Sequence, residues 1–231
     1  IILECTLPPN SAASAHTIAV SVAGYGASPT LVAGTVAYSV RLASVSPTIG
    51  SIGGGTPITL TGDGLSTMAS DVAITINGVA CRVIAAFFGN VTCVTGAAST
   101  AATATVAMSV RGVAASCIGS CTFSYSDADT PTLASASVTS STDSQWTIYL
   151  SGSSFGSGWS SATVMVGSTA CTPVSGSTTS LTCTMTPPMA GAQAVRLLFS
   201  WGYAIGSGGG SLPTITGASL SVSGISPATV G

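Results

Sequence analysis

The sequence predicts an all-β chain of tandem β-sandwich domains. Three observations carry the prediction: apolar residues alternate with small or polar ones, turn signals recur at short intervals, and cysteine-bearing segments repeat at a period near 90 residues. At 231 residues the chain has room for two domains or slightly more.

The repeat fixes the organisation. Leu3-Glu4-Cys5-Thr6-Leu7-Pro8-Pro9 matches Leu181-Thr182-Cys183-Thr184-Met185-Thr186-Pro187-Pro188, and Val91-Thr92-Cys93-Val94-Thr95 stands between them. Cys5, Cys93 and Cys183 are therefore separated by 88 and 90 residues. Cys81 precedes Cys93 by 12, and Cys171 precedes Cys183 by 12. Starts recur too: Val45-Ser46-Pro47-Thr48-Ile49-Gly50 returns as Ile225-Ser226-Pro227-Ala228-Thr229-Val230-Gly231, with Thr130-Pro131-Thr132 between. Each start follows an alternating strand: Ala37-Tyr38-Ser39-Val40, Thr122-Phe123-Ser124-Tyr125 and Ser219-Leu220-Ser221-Val222.

Four segments are expected. Residues 1–43 form the C-terminal part of a first domain, with Ile18-Val20-Val22 and Val36-Tyr38-Val40 as its strands. Residues 44–127 form a whole domain. Within it Val72, Ile74 and Ile76 alternate with Ala73 and Thr75 before Asn77-Gly78, and the chain returns through Val79-Ala80-Cys81-Arg82-Val83. Asn-Gly between alternating runs predicts a type I′ hairpin, because both central residues need positive φ. Residues 130–223 form the next domain, where Val164-Met165-Val166 meets Gly167-Ser168, a II′ signal at the equivalent place. Residues 224–231 supply the first strand of a following domain. Joints of a few residues predict a stiff rod.

Cysteine arithmetic agrees. Cys81 pairs with Cys93, Cys171 with Cys183, and Cys117 with Cys121 across a small loop before the last strand. Cys5 is left over, its expected partner lying upstream of residue 1. Disulfides place the chain in an oxidising compartment, outside the cell or on its surface.

Composition excludes much. Charged residues make up 4% of the chain, with four Arg, no Lys and net charge −2. That leaves no electrostatic footprint for nucleic acid or an anionic membrane surface. Mean hydropathy is +0.65, yet the long uncharged stretch 15–42 alternates and is broken by Gly24, Gly26, Pro29 and Gly34. It does not read as a membrane span. A surface so poor in charge predicts sugars on Ser and Thr, or burial within a polymer.

Pro47, Gly53-Gly54-Gly55-Thr56, Ile58-Thr59-Leu60, Gly62, Gly64-Leu65, Ile74, Asn77-Gly78, Cys81 and Cys93 resemble the IPT/TIG domain, found in plexins and Rel-type transcription factors. The resemblance implies an Ig-like, E-set type sandwich in which the glycine run leads into the second strand and the two cysteines staple neighbouring strands. It is specific over 45–94. In the third domain it is carried by Trp146-Thr147-Ile148-Tyr149-Leu150-Ser151-Gly152, Phe155, Cys171 and Cys183 without the Gly-Gly-Thr run. DNA binding, as in the Rel-type relatives, needs basic loops that are missing here.

Sites of chemistry are few. His16 is the sole histidine and no nucleophile–base pair forms around it. The acids Glu4, Asp63, Asp71, Asp127, Asp129 and Asp143 are scattered. Asp127 and Asp129, at a joint, offer too few oxygens for calcium, and the cysteine pattern fits disulfides rather than zinc. No catalytic residue, metal or cofactor is expected. Asn90-Val91-Thr92 is an N-glycosylation sequon in the turn before Cys93, making Asn90 the candidate glycan site. Pro8-Pro9 and Pro187-Pro188 read as rigid turns. Trp146 reads as core, whereas Trp159 in Gly156-Ser157-Gly158-Trp159 reads as a loop contact for a sugar or a neighbouring subunit.

The expected function is a structural repeat segment of an extracellular, glycosylated surface fibre. Its partners would be covalent glycans and either other copies in a filament or neighbouring repeats of the chain, with no nucleic acid and no membrane insertion. The alternative is a spacer in the ectodomain of a cell-surface receptor or adhesin.

Overall fold

The computed structural model describes residues 39–142, 144–187 and 190–217, together with four short strands before them. Those four form two ribbons: β1 (Ala15–Thr17) pairs antiparallel with β4 (Thr35–Ala37), and β2 (Ser21–Val22) with β3 (Gly26–Ala27). Cys5, most of the expected first domain, the strand at 219–222 and the segment 224–231 lie outside the described residues.

The chain divides into two compact units, Ile1–Gly50 with Gly54–Tyr125, and Ser51–Gly53 with Ser126–Gly231. The first contains β5 (Arg41–Ser46), β6 (Ile49–Ser51, its last residue grouped with the second unit), β7 (Pro57–Asp63), β8 (Val72–Ile76), β9 (Val79–Ala86) and β10 (Asn90–Thr95). It continues with β11 (Ala102–Val110), β12 (Val113–Ala114), β13 (Ser116–Ser120) and β14 (Thr122–Ser126, its last residue grouped with the second unit). Its strand order is β13-β5-β7-β10-β9-β8-β11-β14-β6.

Two strands change partners along their length, which folds this order into two layers. In β9, Val79 and Ala80 pair with β8, while Cys81–Ala86 pair with β10. In β11, Ala102–Thr105 pair with β14 and Val106–Val110 with β8. Period-2 alternation decides what lies between the layers: Val72, Ile74 and Ile76 are buried, as are Ile58, Leu60, Val91, Cys93, Val106, Met108, Val110 and Phe123. Each such side chain contributes about 1.5–3 kcal/mol of burial. The Asn77-Gly78 turn has φ of 51° and 79°, the type I′ geometry its sequence predicts.

The second unit repeats the plan. Its strands are β15 (Thr132–Ser141), β16 (Trp146–Ser153), β17 (Thr163–Val166), β18 (Thr169–Gly176), β19 (Ser180–Met185), β20 (Gly191–Phe199), β21 (Gly202–Tyr203), β22 (Ile205–Gly206) and β23 (Thr214–Gly217). The order runs β21-β20-β17-β18-β19-β16-β15-β22, with β23 on β20. β18 switches partners as β9 does, from β17 at Thr169–Cys171 to β19 at Thr172–Gly176. Leu133, Trp146, Ile148, Leu150, Phe155, Val164, Val166, Leu181, Cys183, Val195, Leu197 and Phe199 form its core.

The repeat extends to backbone detail. β5 has a register shift between Leu42 and Ser44 against β7, and β15 has one between Leu133 and Ser135 against β16. A glycine stands opposite each shift. A Cβ on Gly62 would lie 1.9 Å from the Arg41 carbonyl oxygen, and one on Gly152 would lie 1.8 Å from that of Thr132. Only glycine lets the neighbouring strand approach so closely.

Candidate functional site

Three disulfides hold the units. Cys81–Cys93 joins the neighbouring strands β9 and β10 with 5.6 Å between Cα atoms, and Cys171–Cys183 joins β18 and β19 at 5.5 Å. All four sulfurs belong to buried residues. Cys117–Cys121 instead closes a five-residue segment, from the exposed Cys117 of β13 to the buried Cys121 just before β14.

Little else has chemical potential. No group of three His, Cys, Asp or Glu that could hold a metal occurs among the described residues. His16 lies on β1, paired with Val36. Asp129 belongs to a local turn: the Ser126 hydroxyl donates to its Oδ2 at 2.7 Å, and its own amide donates back to Ser126 Oγ at 3.2 Å. Asp63 and Asp127 are exposed. Asp71 is built in more firmly. It accepts from the buried Ser66 hydroxyl at 2.7 Å and from Arg111 Nε at 2.9 Å. These bonds, the Ser66 one foremost, hold its carboxyl below the ordinary carboxylate range. Arg111 sits at φ 49° in the hairpin turn after β11, so this pair clips one turn to the short 3-10 turn Ala69–Asp71.

Hydroxyls take the place of charge on the strands. Ser44 bonds Thr61, Thr132 bonds Ser153 and Ser135 bonds Ser151 across adjacent strands at 2.6–2.7 Å. Such cross-strand pairs stabilise a sheet as ion pairs do elsewhere. The described residues contain one ion pair, Asp71–Arg111.

The aromatics of the second unit sort between core and its margin. Trp146 is core. Trp159 starts a 3-10 turn and packs partly buried against the second core, over Gly176, where a Cβ would meet its ring at 2.7 Å. Its ring is drawn inward because Gly176 leaves the space. Trp201 stacks on Phe199 with centroids 4.8 Å apart.

An exposed pair of aromatics lies in the first unit. β9 and β10 are joined by the turn Phe87-Phe88-Gly89-Asn90, closed by Phe87 N–H to Asn90 O at 2.8 Å and Asn90 N–H to Phe87 O at 3.3 Å. Phe87 is 58% exposed, Phe88 40% and nearby Ile84 48%. Asn90, the first residue of β10, is partly exposed and opposite Thr61 of β7. Val91 is fully buried, so the period of two turns Asn90 and Thr92 to the outer face together. The sequon was legible in the sequence; the aromatic pair beside it was signalled only by Phe-Phe standing directly before Gly-Asn.

A family model described as the IPT/TIG domain matches residues 41–125 and again 131–198, about two thirds of the chain. The chain belongs to the IPT/TIG domain family. The match extends the resemblance of residues 45–94 to both compact units. No curated protein sequence matches the chain. Among solved structures, the extracellular region of plexin A4 (domains 1 to 10) aligns at 20% identity with a TM-score of 0.46, over 72% of this chain and 15% of that one. A second plexin A4 structure (domains 1 to 8) aligns at 19% identity and TM-score 0.42, over 72% and 17%. SGBP-B of a Bacteroides ovatus mixed-linkage glucan utilization locus, solved in complex with a mixed-linkage heptasaccharide, aligns at 15% identity and TM-score 0.28, over 73% and 43%. The chain thus spans under a fifth of the plexin chains it matches.

Among the described residues no helix is long and apolar enough to cross a membrane.

Proposed function

We propose that these tandem IPT/TIG domains are a non-catalytic structural segment of an extracellular surface fibre, carrying covalent glycans that include one on Asn90. The observation that carries this reading is the surface. Two repeats share one disulfide-stapled plan, yet their strands present hydroxyl pairs where soluble domains present mixed charge. Ser and Thr in this density are acceptors for sugar and are compatible with close packing between copies, since neither cost of burying charge arises. The three disulfides favour an oxidising compartment. Short joints between repeats would stiffen the segment into a rod.

Electron cryomicroscopy of the native material tests this directly. Regular filaments with non-protein density on Asn90 or on Ser and Thr side chains are expected. Isolated flexible particles with bare side chains would overturn the fibre reading and favour a spacer within a receptor or adhesin ectodomain.

A further inference from the structure

The Phe87-Phe88 turn has no place in the core and no role in the disulfide frame. Two phenylalanines and Ile84 stand open to solvent together at one hairpin tip. Exposed aromatic surface of this kind marks a binding face.

The repeat supplies a control. The second unit has the same turn at the same place, closed by Ser177 N–H to Ser180 O at 2.8 Å. There Phe87, Phe88 and Asn90 are replaced by Ser177, Thr178 and Ser180. That turn is finished internally: Ser177 Oγ accepts from the amides of Thr179 and Ser180 at 3.2 and 3.1 Å and bonds Ser180 Oγ at 2.8 Å. Val174, at the position of Ile84, stays exposed in both. Aromatic rings and glycan acceptor are thus present together in one copy and missing together in the other.

We propose that Phe88, with Phe87 beside it, is the packing platform for the first N-acetylglucosamine of an N-glycan on Asn90. The proposal rests on Asn90 being glycosylated, and deepens that reading. Phe88 lies two residues before Asn90 across Gly89, where a Cβ would meet no atom beyond its chain neighbours within 4 Å, so the rest of the protein leaves the tip of this turn open. A pyranose presents axial C–H groups to the negative face of an aromatic ring. The tethered sugar covers apolar surface that would otherwise stay wet. In the attachment step the Asn90 amide nitrogen bonds the anomeric carbon of a polyprenyl-diphosphate-linked oligosaccharide. The carbon–oxygen bond to diphosphate breaks, the lipid diphosphate leaves with the electron pair, and the amide gives up one proton.

The test uses the full chain secreted from cultured eukaryotic cells. Peptide mass analysis is expected to find Asn90 occupied. Enzymatic removal of the glycan should lower the melting midpoint of the first unit by about 4 °C in the wild type and by under about 1 °C in Phe88→Ala. An unmodified Asn90 peptide would overturn both the glycan and the platform. Equal losses in wild type and Phe88→Ala would overturn the platform alone. Should Phe88→Ala fail to be secreted, proton NMR of the wild-type glycoprotein decides. Ring-current shifts on the first sugar's protons are expected, and unshifted resonances would refute the stacking.

Discussion

Removing the Cys81–Cys93 disulfide should destabilise the first unit more than removing Cys117–Cys121, although both bonds lie within it. The perturbation is Cys81→Ala with Cys93→Ala. The bond closes a segment with a sequence separation of 12, so releasing it returns about 3 kcal/mol of loop entropy to the unfolded chain. Both sulfurs also lie in the core, at residues 4% and 0% exposed, and their loss leaves a small cavity that adds to the cost. Cys117–Cys121 has a separation of only 4, which puts its entropic ceiling near 2 kcal/mol, and Cys117 is exposed. At about 4–8 °C per kcal/mol for a domain of this size, the first double variant should lose about 12–24 °C in midpoint and the second no more than about 8–16 °C. Differential scanning calorimetry of the full chain reads the midpoints. Amide exchange at Leu60 and Val91 assigns the transition to the first unit, while fluorescence of Trp146, Trp159 and Trp201 follows the second. If the Cys81–Cys93 variant lost under about 1 kcal/mol, or less than the Cys117–Cys121 variant, the loop-closure reasoning would be wrong.

Two further outcomes are expected. Gly62→Ala and Gly152→Ala should each cost at least about 3 kcal/mol by denaturant titration, because the added Cβ meets a backbone oxygen that cannot move without breaking the strand register; a cost within about 0.5 kcal/mol would mean the register shifts relax freely. Tyr125 is buried, its hydroxyl donates to Gly96 O at 3.1 Å, and burial pushes its pKa up. The folded chain therefore holds this proton more tightly than the unfolded one, so the contribution is complete below the unfolded value near 10 and is lost as pH rises through the higher folded value. Tyr125→Phe should lower the midpoint at neutral pH by about 4–8 °C and reduce the alkaline loss seen in wild type; an unchanged alkaline loss would assign it to another group.

What the sequence settles here is local or periodic. Asn77-Gly78 dictates its turn because few other residue pairs accept two positive φ angles in succession. Alternation such as Val72-Ile74-Ile76 selects the buried face, since a strand turns successive side chains to opposite sides. The repeated cysteine spacing, 12 residues in both copies, matches the two bonds that staple adjacent strands. Other features depend on residues distant in the chain. Gly62 and Gly152 read only as small residues in strands until the neighbouring strand, about 20 residues earlier, is set against them. Asp71 and Arg111 are 40 residues apart and meet because β8 and β11 pair. Trp159 sits among glycines, which suggests an open loop, yet the ring packs over Gly176 against the core, where a side chain on that strand would block it. Phe87 and Phe88 illustrate the converse. Hydropathy would send both rings inward, but a two-residue turn between β9 and β10 has no interior face to offer, and so the tertiary structure leaves them beside Asn90 in solvent.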